Sequence, residues 1–144
     1  MPSSDAATGG GFTLHPRLAA DTYPIKDLAL SQVLFMNDSR YPWLVLVPMR
    51  PDIIEVHDLA EADQLQLMTE ISAASKTLAT LFETDKINVG ALGNIVPQLH
   101  VHVLSRRRTD EAWPGPVWGV GKTIPYSDAE RIQTIKKIAP ALEP

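Results

Sequence analysis

Polar and apolar residues alternate without a break from Gln98 to Val103 (Gln-Leu-His-Val-His-Val), and Leu104 follows. A period of two predicts a strand with Leu99, Val101 and Val103 on a core face and Gln98, His100 and His102 on the other. Ser31 to Asn37 also reads as a strand, and Trp43 to Pro48 as a continuous apolar run. The turn-forming stretch Asn37-Asp38-Ser39-Arg40-Tyr41-Pro42 separates them. Together they predict a hairpin whose second strand is buried. From Asp58 to Phe82 the period lengthens. Leu65, Met68, Ile71, Ala74, Leu78 and Leu81 recur at spacings of three and four. One long amphipathic helix follows, with Glu61, Asp63, Gln66, Glu70 and Lys76 on its outer face. Lys86 to Val89 begins another strand, and Gly90 to Asn94 is a turn before the His strand. Ser127-Asp128-Ala129-Glu130 supplies an N-cap and an acidic first turn for a short closing helix stopped at Pro140. His15 to Asp21 predicts a short helix with Pro16 in its first turn, whereas Tyr23-Pro24-Ile25 reads as an extended connection.

Strands joined by hairpin-length links, with one dominant helix, predict an α+β fold on a mostly antiparallel sheet of about five strands. The small, glycine-rich stretch 1–11 reads as a disordered leader and 12–144 as a single domain. The absence of cysteine excludes disulfides, zinc–thiolate sites and thiol catalysis. The longest apolar runs fall far short of the ~20 residues that span a bilayer, and no secretory signal pattern opens the chain. A cytoplasmic protein without membrane attachment is the simplest expectation. A net charge of −4 argues against a nucleic-acid polymer as partner, since phosphate backbones require a basic surface. A small phosphorylated ligand at a local site is compatible with it.

Two of the four histidines fall at i and i+2 of one strand, roughly 6–7 Å apart at the backbone. Three chemistries fit that spacing. The pair can be plain surface histidines on a solvated face. It can be half of a metal site, needing a third ligand for which His15, His57 or a carboxylate has no spacing to recommend it. Or one imidazole attacks phosphorus while its neighbour stabilises charge or protonates the leaving group.

The segment Gln98-Leu99-His100-Val101-His102-Val103-Leu104 resembles the signature of the histidine triad (HIT) superfamily, His-φ-His-φ-His-φ-φ with φ apolar. The similarity extends over roughly Leu28 to Trp118: Phe35-Met36-Asn37-Asp38, Leu44 to Pro48, the long helix, and Asn88-Val89-Gly90 ahead of the motif. Trp113-Pro114 follows it as in some branches of the family. The resemblance implies cofactor-free hydrolysis or transfer at the α-phosphate of a nucleoside phosphoramidate or dinucleoside polyphosphate, through a covalent nucleotidyl-histidine. It implies His100 as nucleophile and His102 as the residue that binds phosphate and assists the leaving group. It places Asn88 in the phosphate site and Asn37 or Asp38 near the ribose. A homodimer with a continuous sheet, built about the 86–94 segments and the long helices, is also implied. The departure is Gln98, an amide where the family has its first histidine. An amide hydrogen-bonds but does not titrate, so Gln98 would orient the site, or the chain would be a nucleotide-binding module with little or no catalytic power.

Asn94, in the glycine-containing turn, is a further candidate for ligand contact, and Phe35 one for a nucleobase, although a strand phenylalanine is more often core. Arg106, Arg107 and Arg108 offer charge at the strand end, although such a run is commonly a solvated turn. Tyr41 and Trp43 read as hairpin packing, Trp113 and Trp118 as core or interface packing, and His57 as structural or surface.

Overall fold

A computed structural model describes residues 11–144; most of the expected leader, residues 1–10, lies outside the described residues. The elements are α1 (Pro16–Asp21), β1 (Thr22–Asp27), β2 (Ser31–Met36), β3 (Trp43–Pro48), α2 (Glu61–Leu81), β4 (Lys86–Gly90), β5 (Val101–Arg106) and α3 (Asp128–Ala141). The five strands form one antiparallel sheet in the order β1-β2-β3-β5-β4. The α+β class and the strand count thus match the hydrophobic pattern. The segment 22–27, expected as a connection, is an edge strand. Pro24 is tolerated there because an edge leaves one side of the backbone unpaired, and the register shifts between Pro24 and Lys26.

Both faces of the sheet are covered. On one, Val33, Phe35, Leu44, Leu46 and Val103 pack with Ala74 and Leu78 of α2 and Ile138 of α3. On the other, Leu34, Trp43, Val45, Val47 and Leu104 pack with Leu18 of α1 and Val117, joined by Phe12, Leu14 and Trp118. The second layer is therefore built from the N-terminal segment and the loop after β5.

Helix α2 begins at Glu61, three residues later than the pattern suggested; a 3-10 turn at Val56–Asp58 precedes it. Its buried stripe is Leu67, Glu70, Ala74, Thr77 and Leu78. Leu65 and Met68, expected inside, are 69% and 60% exposed, and Glu70, expected outside, is fully buried. The reason is backbone satisfaction. Glu70 accepts the N–H groups of Leu30 and Ser31 at 2.8 and 2.9 Å, groups that would otherwise be orphaned under the helix. Helix α3 carries the expected Ser127–Glu130 capping box. It continues one residue past Pro140, with the Lys26 ammonium donating to the carbonyls of Ala139 and Leu142.

Candidate active site

Strand β5 starts only at Val101, so Leu99 and His100 approach it as extended backbone, with Leu99 N–H donating to the carbonyl of Ile53. His100 and His102 nevertheless share a face, their ring centroids 5.0 Å apart. They are not solvated: each is only 6–7% exposed. Trp118 lies 5.2 Å and Trp43 5.7 Å from His102, both edge-on. Gly90, which pairs with His102 across the β4–β5 ladder, makes room for this stack. A Cβ there would sit 3.2 Å from the Trp118 ring.

The hydrogen-bond partners assign opposite tautomers to the two rings. Nδ1 of His100 is 2.7 Å from the backbone carbonyl of Gln98. A carbonyl only accepts, so in the neutral ring Nδ1 carries the proton and Nε2 keeps its lone pair. Nδ1 of His102 faces the indole N–H of Trp43 at 3.0 Å. An indole only donates, so here Nδ1 is bare and the proton of the neutral ring sits on Nε2. One ring thus presents a nucleophilic nitrogen and its neighbour a hydrogen-bond donor.

Burial, with a smaller push from His100, lowers the His102 pKa from 6.5 to about 4. His102 is therefore a neutral donor at pH 7, and the Trp43 hydrogen bond favours that same form. We expect its ring resonances to titrate near pH 4 by NMR. A midpoint of 6–7 would contradict the burial account. The sign for stability follows from linkage. Between about pH 4 and 6.5 the unfolded chain takes up this proton and the folded one does not. Its contribution is therefore full above pH 6.5 and is lost as pH falls towards 4.

The histidines open onto a cavity of about 480 Å³, whose walls include Arg17, Asp38, Arg40, Asn94 and Trp118, within the range of small-molecule sites. Asp38 and Asn94 thus lie beside the histidine pair. Asp38 is engaged in a clasp, accepting from Arg40 at 2.8 Å and from the backbone of Ile124. Arg40 in turn donates to Glu111 and to the Val120 carbonyl, fixing the Gly119–Gly121 stretch on the rim. Gly121 has φ +64°, and a Cβ at that position would collide with the Glu111 carboxylate.

Four expected site residues do not line this cavity. Phe35 pairs with Leu44 on the helix-covered face and is fully buried against Tyr126, so it belongs to the core and not to a base pocket. The Asn37 carboxamide accepts the N–H of Tyr126 and tethers the entry to α3. The Asn88 oxygen accepts from Arg106 at 2.7 Å and does not reach the cavity wall. The Gln98 side chain turns away from His102 to bond the backbone of Thr13 and His15. Only its carbonyl serves the histidine pair.

Arg106 is the one residue of the arginine run that is buried, at 1% exposure. It pairs with Asp110 through two hydrogen bonds of 2.8 and 3.0 Å. Arg107 and Arg108 make exposed contacts with Glu83 and Asp85. His57 is an exposed side chain beside Asp58. Sequence reasoning missed the role of Trp43, whose indole sets the His102 tautomer, and the place of Arg17 in the cavity wall. Among the described residues no three His, Cys, Asp or Glu side chains gather as a metal site.

Comparison with known proteins agrees with this fold. A model of the HIT domain matches residues 19–109. The chain is similar to a histidine triad protein from Bradyrhizobium japonicum: 49% identity, TM-score 0.90, covering 92% of this chain and 99% of that one. A histidine triad protein from Sinorhizobium meliloti gives 49% identity and a TM-score of 0.89 over 91% and 97% of the two chains. One from Marinobacter aquaeolei gives 46% and 0.90 over 92% and 97%. No curated protein matches the chain. With the domain match spanning all five strands and including the paired histidines, the chain belongs to the HIT family, a family of nucleotide-binding hydrolases and transferases.

Proposed function

We propose that the protein hydrolyses or transfers at the α-phosphate of nucleoside phosphoramidates or dinucleoside polyphosphates, through a nucleotidyl group carried on His100. The observation that carries this reading is the complementary tautomer pair. Nε2 of His100 bonds to phosphorus as the bond to the leaving group breaks. Nε2–H of His102 donates to the phosphate as its charge redistributes; a polyphosphate then leaves as its anion, and an amine leaves after taking a proton from solvent, which the attacking water later returns. Water or another acceptor then takes the nucleotidyl group and returns His100 to its starting form. The support that holds His100 in the attacking tautomer comes from the backbone carbonyl of position 98, which is there whatever side chain that position carries. An amide at the first triad position is therefore compatible with turnover, which favours the enzyme over a binding-only module.

We expect AMP release from adenosine 5′-phosphoramidate that persists in excess EDTA. The mechanism would be overturned by inactivation with the chelator, and a binding-only role would be indicated by tight AMP binding with no release. A homodimer is part of the same reading. Helix α2 exposes Leu65 and Met68, and the edge strand β4 exposes Val89 beside a backbone edge that would pair with another strand.

A further inference from the structure

We propose that Gln98 is a positioning residue that clamps the N-terminal segment onto the site, and that Arg17, carried by that segment, binds the ligand's phosphate. The second half rests on the nucleotide reading above; the clamp itself is independent of it. The Gln98 carboxamide donates from Nε2 to the Thr13 carbonyl at 2.9 Å and accepts the His15 N–H on Oε1 at 2.8 Å. This two-point contact mimics one rung of strand pairing. It needs a donor and an acceptor side by side, which a carboxamide has and an imidazole, with its nitrogens on different edges of the ring, does not. The amide at the first triad position thus has a use of its own.

The clamp is coupled to the cavity by a short path. His15, held by Gln98 through its N–H, accepts the Arg17 N–H on Nδ1 at 3.1 Å and caps α1. Phe12 and Leu14, on either side of the clamped Thr13, pack on the cluster under the site. Among the described residues two arginines, Arg17 and Arg40, line the cavity. Arg40 is taken up by Asp38, Glu111 and the Val120 carbonyl. The Arg17 side chain is 59% exposed, and among the described residues its charged partner is Asp21 at 3.8 Å, an exposed ion pair beyond hydrogen-bond range. Its donors are available to an incoming phosphate, where a forked guanidinium fits two oxygens.

The test is calorimetric titration of AMP, with uncharged adenosine as the control, into wild type, Arg17→Ala, Arg17→Lys, Gln98→Ala and Gln98→His. Arg17→Ala should weaken AMP binding about tenfold while leaving adenosine binding unchanged, and Arg17→Lys should recover part of the loss. Gln98→Ala and Gln98→His should raise hydrogen exchange at residues 13–17, weaken AMP binding several-fold, and raise KM more than they lower kcat. The double variant with Arg17→Ala and Gln98→Ala should bind no more weakly than Arg17→Ala alone, because both act through one contact. AMP affinity unchanged in Arg17→Ala overturns the phosphate role, and unchanged exchange in the Gln98 variants overturns the clamp. Arg17→Ala alters an exposed side chain, so its result stands even if the Gln98 variants fold poorly. Failure of the wild type to bind AMP would remove the nucleotide reading and the Arg17 role with it. Exchange at 13–17 would then still decide the clamp.

Discussion

Replacing His100 with alanine is expected to lower AMP release by about 10⁴-fold or more, the order seen when a covalent nucleophile is lost. The remaining groups, His102 among them, still bind and polarise the phosphate but leave phosphorus without an attacking nitrogen. His100 is 7% exposed, so the substitution also removes buried contacts and one hydrogen bond to the Gln98 carbonyl. A loss of about 1–2 kcal/mol in stability is the corresponding expectation, which chemical denaturation measures beside the rate. Loss of activity with a near-native denaturation curve separates chemistry from folding. Retention of more than a tenth of the wild-type rate would remove His100 from the nucleophile's role.

The largest effect on stability is expected from Asp110→Ala. Among the described residues Asp110 is the one carboxylate paired with Arg106, whose side chain is 2% exposed. Asp110 also accepts the N–H groups of Arg107 and Trp113. Around it the guanidinium lies over the rings of Tyr41 and Trp113 at 5.6 and 5.7 Å. Removing the carboxylate leaves a buried cation with Asn88 and two aromatic faces for company, at a cost of about 3–5 kcal/mol. The same change frees the loop that brings Val117 and Trp118 over the histidines, so activity should fall with stability. Substituting both partners, Arg106→Met with Asp110→Leu, should recover much of the lost stability, since no buried charge is then left unpaired. A single variant as stable as wild type would show that the pair contributes little.

Much of the architecture was legible in local pattern. Alternation over 98–103 separates Val101 and Val103, which face the helices, from the two histidines, and a three-four period located the long helix. The pattern failed where the deciding partner is remote in sequence. Phe35 sits in a run that is apolar at successive positions, so periodicity could not say which face it takes. Its register opposite Leu44 decides that. Glu70 looks like an outer-face charge until the backbone of Leu30 and Ser31 comes beneath it. Gln98 keeps the strand's alternation, yet its side chain is claimed by residues 83 and 85 positions away. Asn88 reads as a phosphate ligand by resemblance, and the buried guanidinium of Arg106 takes its oxygen instead. The histidine pair was visible; the tautomers were not, because they depend on the Gln98 carbonyl and on an indole 59 residues upstream of His102.

The central claim is a covalent bond between Nε2 of His100 and phosphorus, and trapping that bond tests it most directly. Wild type and His100→Ala are mixed briefly with adenosine 5′-phosphoramidate, quenched in acid, and weighed as intact proteins, with AMP release followed in parallel. The account predicts a wild-type species heavier by one adenylyl group, located on His100 by fragmentation and absent from the variant. AMP release that persists in His100→Ala, or an adduct mapped to another residue, would contradict it.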